Sequence, residues 1–129
     1  MKICTGVDII EVERIQKAIE TQGEMFLKKV YTNSEIEYCS NTGKMTYQHY
    51  AARFAAKEAV FKAISNSISL EEGDIWNKIE IINEKNGKPI VNLEKLHIKN
   101  IESMDLSISH LKDYAIASFT ILFKEDNSD

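Results

Sequence analysis

The sequence predicts an α+β fold: an N-terminal strand, several helices, then antiparallel hairpins. Two observations carry that expectation. Segments of one periodicity arrive in runs rather than in strand–helix–strand alternation, which argues a largely antiparallel sheet. With only 5 Gly and 1 Pro in 129 residues, little of the chain reads as linker. We therefore expect one domain over residues 1–123 and a polar tail over 124–129.

The elements follow in order. "KICTGVDII" is β-branched and mostly apolar, the pattern of a buried strand, here ending near Asp8. "EVERIQKAIETQ" sets Val12, Ile15 and Ile19 at helical spacing, and Glu11 and Glu13 suit the positive end of the helix dipole. Gly23 stops it, and "EMFLKKVY" forms a short second helix. In "TNSEIEYCS", Thr32 with Glu35 three residues on is a capping-box pattern, which gives Glu35 a structural task. "NTGK" is a turn, and residues 44–65 read as one long helix. "SNSISLEEGD" is a loop. The alternating "IWNKIEIINE", the turn "NEKNGKP" and "IVNL" make a hairpin. "EKLHIKNIES" suggests a short helix. "MDLSISH" and "YAIASFTILF" form a second hairpin around "LKD".

Composition limits the function classes. A net charge of −4, from 16 basic and 20 acidic residues, argues against a general nucleic-acid binder but leaves room for a local basic pocket. Acidic residues interrupt the apolar run that a signal peptide would need, and no stretch approaches the roughly 20 apolar residues of a membrane span. Cys4 and Cys39 sit in apolar surroundings and read as reduced core thiols of a cytoplasmic protein, with a disulfide as the alternative. No second Cys or His lies at zinc-ligand spacing.

The stretch "RFAAKEAVFKAI", residues 53–64, sets charge into an apolar helix. Positions 54, 58, 61, 62 and 65 share a face, so Glu58 lies beside Phe54, Phe61 and Lys62. One reading is an exposed Glu58–Lys62 bridge, worth only ~0.2–0.5 kcal/mol. The other is a partly buried carboxylate, which is costly unless paired or metal-bound. Asp8 divides similarly, between a cap for the following helix and a second ligand. Two such carboxylates suit a hard cation such as Mg²⁺ shared with substrate phosphates, and nearby cations suit phosphoryl chemistry. His110 at a strand end and the turn at Asn86–Pro89 each have a structural reading beside a phosphate-binding one.

Taken together these segments resemble the 4′-phosphopantetheinyl transferases, most closely their small holo-acyl-carrier-protein synthase class. That family's signature is G-[IV]-D near the N-terminus and [FW]-x-x-K-E-x-x-x-K in a helix. The chain has Gly6-Val7-Asp8 and Phe54-Ala55-Ala56-Lys57-Glu58-Ala59-Val60-Phe61-Lys62. The likeness continues through Arg53, Asn86-Gly87-Lys88-Pro89, Ser107-Ile108-Ser109-His110 and "YAIASFTI", over nearly the whole chain.

The resemblance implies transfer of 4′-phosphopantetheine from coenzyme A to a serine of an acyl carrier protein, with Mg²⁺ as cofactor and adenosine 3′,5′-bisphosphate released. It implies that Asp8 and Glu58 hold the metal and that Lys62 contacts the pyrophosphate. Arg53 and Lys57 would add positive potential, Lys88 and Pro89 would border the adenine and its 3′-phosphate, and Ser109 and His110 would contact nucleotide phosphates. Glu58, a water on the metal, or Glu35 through water could take the serine proton, with Glu35 the weakest because of its capping role. The class also implies a homotrimer with active sites between subunits. Relatives carry several arginines in the first helical region to dock the acidic carrier; this chain has Arg14, Lys17, Lys28 and Lys29, diluted by Glu11, Glu13, Glu20 and Glu24. Two other classes remain to be separated: a non-catalytic nucleotide-binding or assembly module, and a phosphohydrolase using the same metal site. The intact set Asp8, Glu58 and Lys62 distinguishes the transferase from the binding module.

Overall fold

The structure, a computed structural model, describes residues 1–65 and 75–125. Most of the loop expected over 65–74 and the last four residues of the tail lie outside them.

Strand β1 is Lys2–Glu11, and three helices follow: α1 Val12–Gln22, α2 Glu24–Val30 and α3 Asn33–Ser40. A 3-10 turn, Gly43–Met45, leads into α4, Thr46–Ile64. After the 3-10 turn Trp76–Lys78 come β2 Glu80–Asn83 and β3 Pro89–Asn92. A further 3-10 turn, Glu94–Leu96, precedes β4 Ile101–His110 and β5 Tyr114–Phe123. The main sheet has the order β1-β5-β4, and β2-β3 forms a second sheet; all pairings are antiparallel. The expected α+β architecture is present.

The core lies between α4 and the inner face of the main sheet. Along β5, Ala115, Ala117, Phe119, Ile121 and Phe123 alternate inward and are buried. On α4 the small residues Ala51, Ala52, Ala55, Ala56, Ala59 and Ala63 are buried, so helix and sheet approach closely. Gly6 permits that approach. A Cβ there would overlap the Ala59 carbonyl oxygen and stand 3.0 Å from the Ala63 nitrogen.

Four local expectations change. β1 does not end near Asp8; it pairs with β5 as far as Glu11↔Tyr114, so Asp8 lies within the strand. The α1 N-cap position is Glu11, which leaves Asp8 no capping task. The strand expected from Ile75 begins only at Glu80, because buried Trp76 turns the backbone and stacks on Phe54 with ring centroids 5.6 Å apart. The expected helix from Glu94 is a single 3-10 turn, ended by left-handed His97 and Asn100.

Candidate active site

Charged side chains collect in the two halves of α4. Near its C-terminal end, Gly6 lets β1 sit against the helix, and the inward alternation of Gly6, Asp8 and Ile10 turns Asp8 toward it. Lys62 reaches across: its Nζ donates to Asp8 Oδ1 at 3.1 Å and to the Val7 carbonyl at 3.1 Å. The Asp8 side chain is 17% exposed and that of Lys62 51%, so the pair is worth at most ~1 kcal/mol and can open. Glu58 is one turn before Lys62 on the same face, half-buried and flanked by Phe54 and Phe61. The structure thus brings Asp8 and Lys62 into contact, with Glu58 on the adjoining turn.

The N-terminal end is built differently. Arg53 Nη1 donates to His49 Nδ1 at 3.2 Å, and Nη2 donates to Asn83 Oδ1. The guanidinium carbon lies 4.4 Å from the Tyr38 ring centre, a cation–π contact. Because Arg has only donors, His49 Nδ1 must be unprotonated. Burial, with help from Arg53 and His110, lowers the His49 pKa to about 4. The His110 ring packs 5.0 Å from that of His49, and its Nδ1 bonds Gln48 Oε1 at 2.9 Å. Burial and then Arg53 also hold His110 below the ordinary histidine value. Asn83 continues the network, donating through Nδ2 to the Gly87 carbonyl at 3.2 Å and so fixing the β2–β3 turn. Lys88 and Pro89 follow that turn, and Lys88 pairs with Asp105 at 3.4 Å.

Three residues depart from expectation. Lys57 is fully buried, and its ammonium lies 2.8 Å from Glu35 Oε1 and bonds the carbonyls of Trp76 (2.8 Å) and Ile79. Three donors meet three acceptors, so Lys57 offers nothing to an outside ligand. Glu35 completes the capping box with Thr32 and also accepts from the Ile81 backbone N–H at 2.7 Å. It therefore leaves the set of groups that could take a proton through water. Ser109 and His110, adjacent on β4, point to opposite faces. His110 lies over α4, whereas Ser109 pairs with Ile116 on the outer face, beside Ile9. Sequence reasoning missed His49, Gln48, Tyr38 and Asn83. The only available signal was the four-residue spacing from His49 to Arg53.

The distance between the ends matters. Gln48 to Lys62 is fourteen residues, about 21 Å along the helix axis at 1.5 Å per residue.

The profile of the 4′-phosphopantetheinyl transferase superfamily matches residues 4–118. The chain is 46% identical over 119 residues to a holo-[acyl-carrier-protein] synthase of Protochlamydia amoebophila, covering 91% of this chain and 95% of that one. It is 43% identical over 122 residues to the synthase of Ruminiclostridium cellulolyticum, covering 91% and 90%. Among solved structures, the Helicobacter pylori holo-[acyl-carrier-protein] synthase in complex with coenzyme A superposes with a TM-score of 0.78 at 30% identity, over 92% of this chain and 99% of that one. The chain belongs to the 4′-phosphopantetheinyl transferase superfamily, and within it to the holo-[acyl-carrier-protein] synthases.

Proposed function

We propose that the chain transfers 4′-phosphopantetheine from coenzyme A to a serine hydroxyl of an acyl carrier protein, with Mg²⁺, in fatty acid synthesis. The observation that carries this reading is how charge is held along α4. Asp8 and Glu58 stand beside Lys62 in its C-terminal half. Arg53, with its imidazole and amide partners uncharged, stands in its N-terminal half. A cation bound to a nucleotide polyphosphate would meet carboxylates at the one and a guanidinium at the other.

Asp8 and Glu58 are the residues that would hold the ion. Their donors are carboxylate oxygens, and among the described residues no group of three or more His, Cys, Asp and Glu converges into a protein-only cage. Two hard ligands are the set Mg²⁺ commonly shares with phosphates. When bound, the ion would neutralise charge on the pyrophosphate. Lys62, released from its exposed pair with Asp8, would stabilise the negative charge that develops as the anhydride breaks. The serine oxygen forms the new bond to the β-phosphorus, the anhydride P–O bond breaks, and adenosine 3′,5′-bisphosphate leaves with the electron pair. The serine proton passes to a base, and Glu58 is the candidate that stands at this end of the helix. Arg53, His110, Lys88 and Pro89 would hold the nucleotide.

A homotrimer with shared sites fits two features. His110, packed on His49 and bonded to Gln48, stands about 21 Å along α4 from Lys62, too far for one pyrophosphate to meet both in one chain. One part of the outer sheet face is apolar: Val7 and Ile9 are exposed by 55% and 62%, with Ile116 and Tyr114 beside them, while Thr5, Ser118 and Thr120 set Ile3 apart. An apolar patch of this kind is what a second subunit would cover. The acidic carrier would meet Arg14 and Lys29, since Lys17 and Lys28 already pair with Glu13 and Glu24. Exposed Met25 offers an apolar contact beside them. No helix among the described residues is long and apolar enough to cross a membrane, in keeping with a cytoplasmic enzyme.

Incubating the protein with an apo carrier protein, coenzyme A and Mg²⁺, then weighing the carrier by mass spectrometry, tests the reading. A gain matching the phosphopantetheine arm is expected. Consumption of coenzyme A without that gain would indicate hydrolysis, and binding without consumption a non-catalytic module.

A further inference from the structure

We propose that the buried Glu35–Lys57 ion pair is a positioning device, with Glu35 acting through Lys57 and Trp76 to fix Glu58 at the reacting centre. This rests on the transferase reading above. Glu35 itself touches no reacting atom.

The pair joins three elements. Oε1 of Glu35 accepts from the Thr32 N–H at 2.8 Å and from Lys57, while Oε2 accepts from the Ile81 N–H at 2.7 Å. One carboxylate thus ties the start of α3, strand β2 and the middle of α4. Lys57 passes the tie onward. Its ammonium bonds the carbonyls of Trp76 and Ile79, at the first residue of the 3-10 turn and just after its last. The held turn presents the Trp76 ring, stacked on Phe54 at 5.6 Å and 17° and set 6.5 Å from Phe61. Phe54 and Phe61 stand four residues before and three after Glu58, and so flank it on one helix face. The chain of contacts runs from Glu35 through Lys57 and Trp76 to the two side chains that wall Glu58.

Geometry adds a second constraint. Successive residues on a helix point about 100° apart. With Lys57 locked inward by three bonds, the rotation of α4 about its axis is fixed, and the direction of Glu58 is fixed with it. Apolar packing alone sets that rotation weakly, because α4 is buried around most of its circumference and small alanines line much of it. A buried ion pair is often no more stabilising than apolar residues of the same volume, so stability does not explain it, whereas a fixed register does.

The test compares the parent with Glu35→Leu/Lys57→Met, which removes both charges together, and with Glu35→Gln and Glu35→Asp. Thermal unfolding establishes folding, and fluorescence of Trp76, the only tryptophan in the chain, reports the stacked turn directly. The double variant should stay folded with a Tm near the parent's. Its Trp76 emission should shift to the red, its kcat should fall at least tenfold, its Mg²⁺ half-saturation should rise about tenfold, and its KM for coenzyme A should change little. Glu35→Asp should recover part of the kcat that Glu35→Gln loses. A folded double variant with parental kcat and Mg²⁺ dependence would overturn the proposal. Should the double variant not fold, Glu35→Gln is judged by the same criteria at a temperature where it is folded. If the parent itself performs no transfer, the functional reading fails separately. Mn²⁺ affinity, read by electron paramagnetic resonance with coenzyme A present, then decides: equal affinity in parent and folded variant overturns the positioning role, and weaker affinity in the variant supports it.

Discussion

The two ends of α4 hold charge in opposite ways. At the C-terminal end Lys62 grips Asp8 through a half-exposed pair, and Glu58 stands one turn away. At the N-terminal end Arg53 is buried, with both terminal nitrogens bonded to His49 and Asn83 and its plane over Tyr38. The first arrangement can rearrange cheaply when a ligand arrives, because an exposed pair is worth little. The second is set in advance and presents a fixed shape. That difference fits chemistry at one end and recognition at the other.

The largest effect should come from breaking the reactive end. Asp8→Asn and Glu58→Gln should each lower transfer by ~10²–10³-fold or more while leaving the protein folded, because a single charge-stabilising group in such sites carries that much. Turnover and thermal unfolding measured in parallel check this, and near-normal turnover would remove that residue from the site. Next comes Gly6→Ala. The added methyl collides with the Ala59 carbonyl, so β1 must move off α4 and carry Asp8 with it. We expect a loss of about 1–3 kcal/mol in denaturant unfolding, together with a large loss of turnover. An unchanged stability would mean that the strand has room the geometry denies.

Gly6 also illustrates what was legible in the sequence. The Gly-Val-Asp motif was plain, as were the main sheet's hairpin, the capping box and the long helix, because each rests on local chemistry. The reason for Gly6 was not legible, since it depends on a carbonyl 53 residues away. Lys57 was misplaced among ligand-facing cations for a related cause. Tyr50, Arg53, Lys57, Val60 and Ile64 recur at helical spacing and are all buried, a stripe that puts Lys57 inward. The apolar wrapping of α4 obscured that stripe, and the partner that makes burial tolerable, Glu35, is 22 residues upstream. His49 and Asn83 were missed because tertiary packing alone gives them partners.

Smaller effects concern the approach of the carrier. Arg14 is exposed on α1, which leaves the strand that holds Asp8. Arg14→Glu should raise the carrier KM several-fold and reduce its salt sensitivity, with coenzyme A binding unchanged. Surface charges act mainly on encounter and are screened over about 8 Å at physiological salt. Steady-state kinetics at several salt concentrations check this. No change in KM or salt dependence would move docking to Met25 and Phe26 or to another face.

The smallest effect concerns the preset end. His49 titrates at about 4 when folded, against 6.5 for an ordinary histidine. Between those values the unfolded chain binds the extra proton, so stability falls as pH drops from about 6.5 toward 4 and this contribution is flat below. His49→Phe should flatten that part of the slope, leaving the weaker share of His110. Denaturant midpoints across this range test it, and parallel curves for parent and variant would contradict the assignment.

Subunit complementation tests the division of labour most directly. Asp8→Asn chains keep an intact N-terminal end, and His110→Ala chains keep an intact C-terminal end. Each variant should be severely impaired by itself. After subunit exchange in an equal mixture, about one quarter of sites between copies in a closed ring would combine the two intact ends. Activity should recover toward that fraction of the parent's. No recovery, with exchange verified by mass spectrometry of the mixed assemblies, would contradict a site shared between chains.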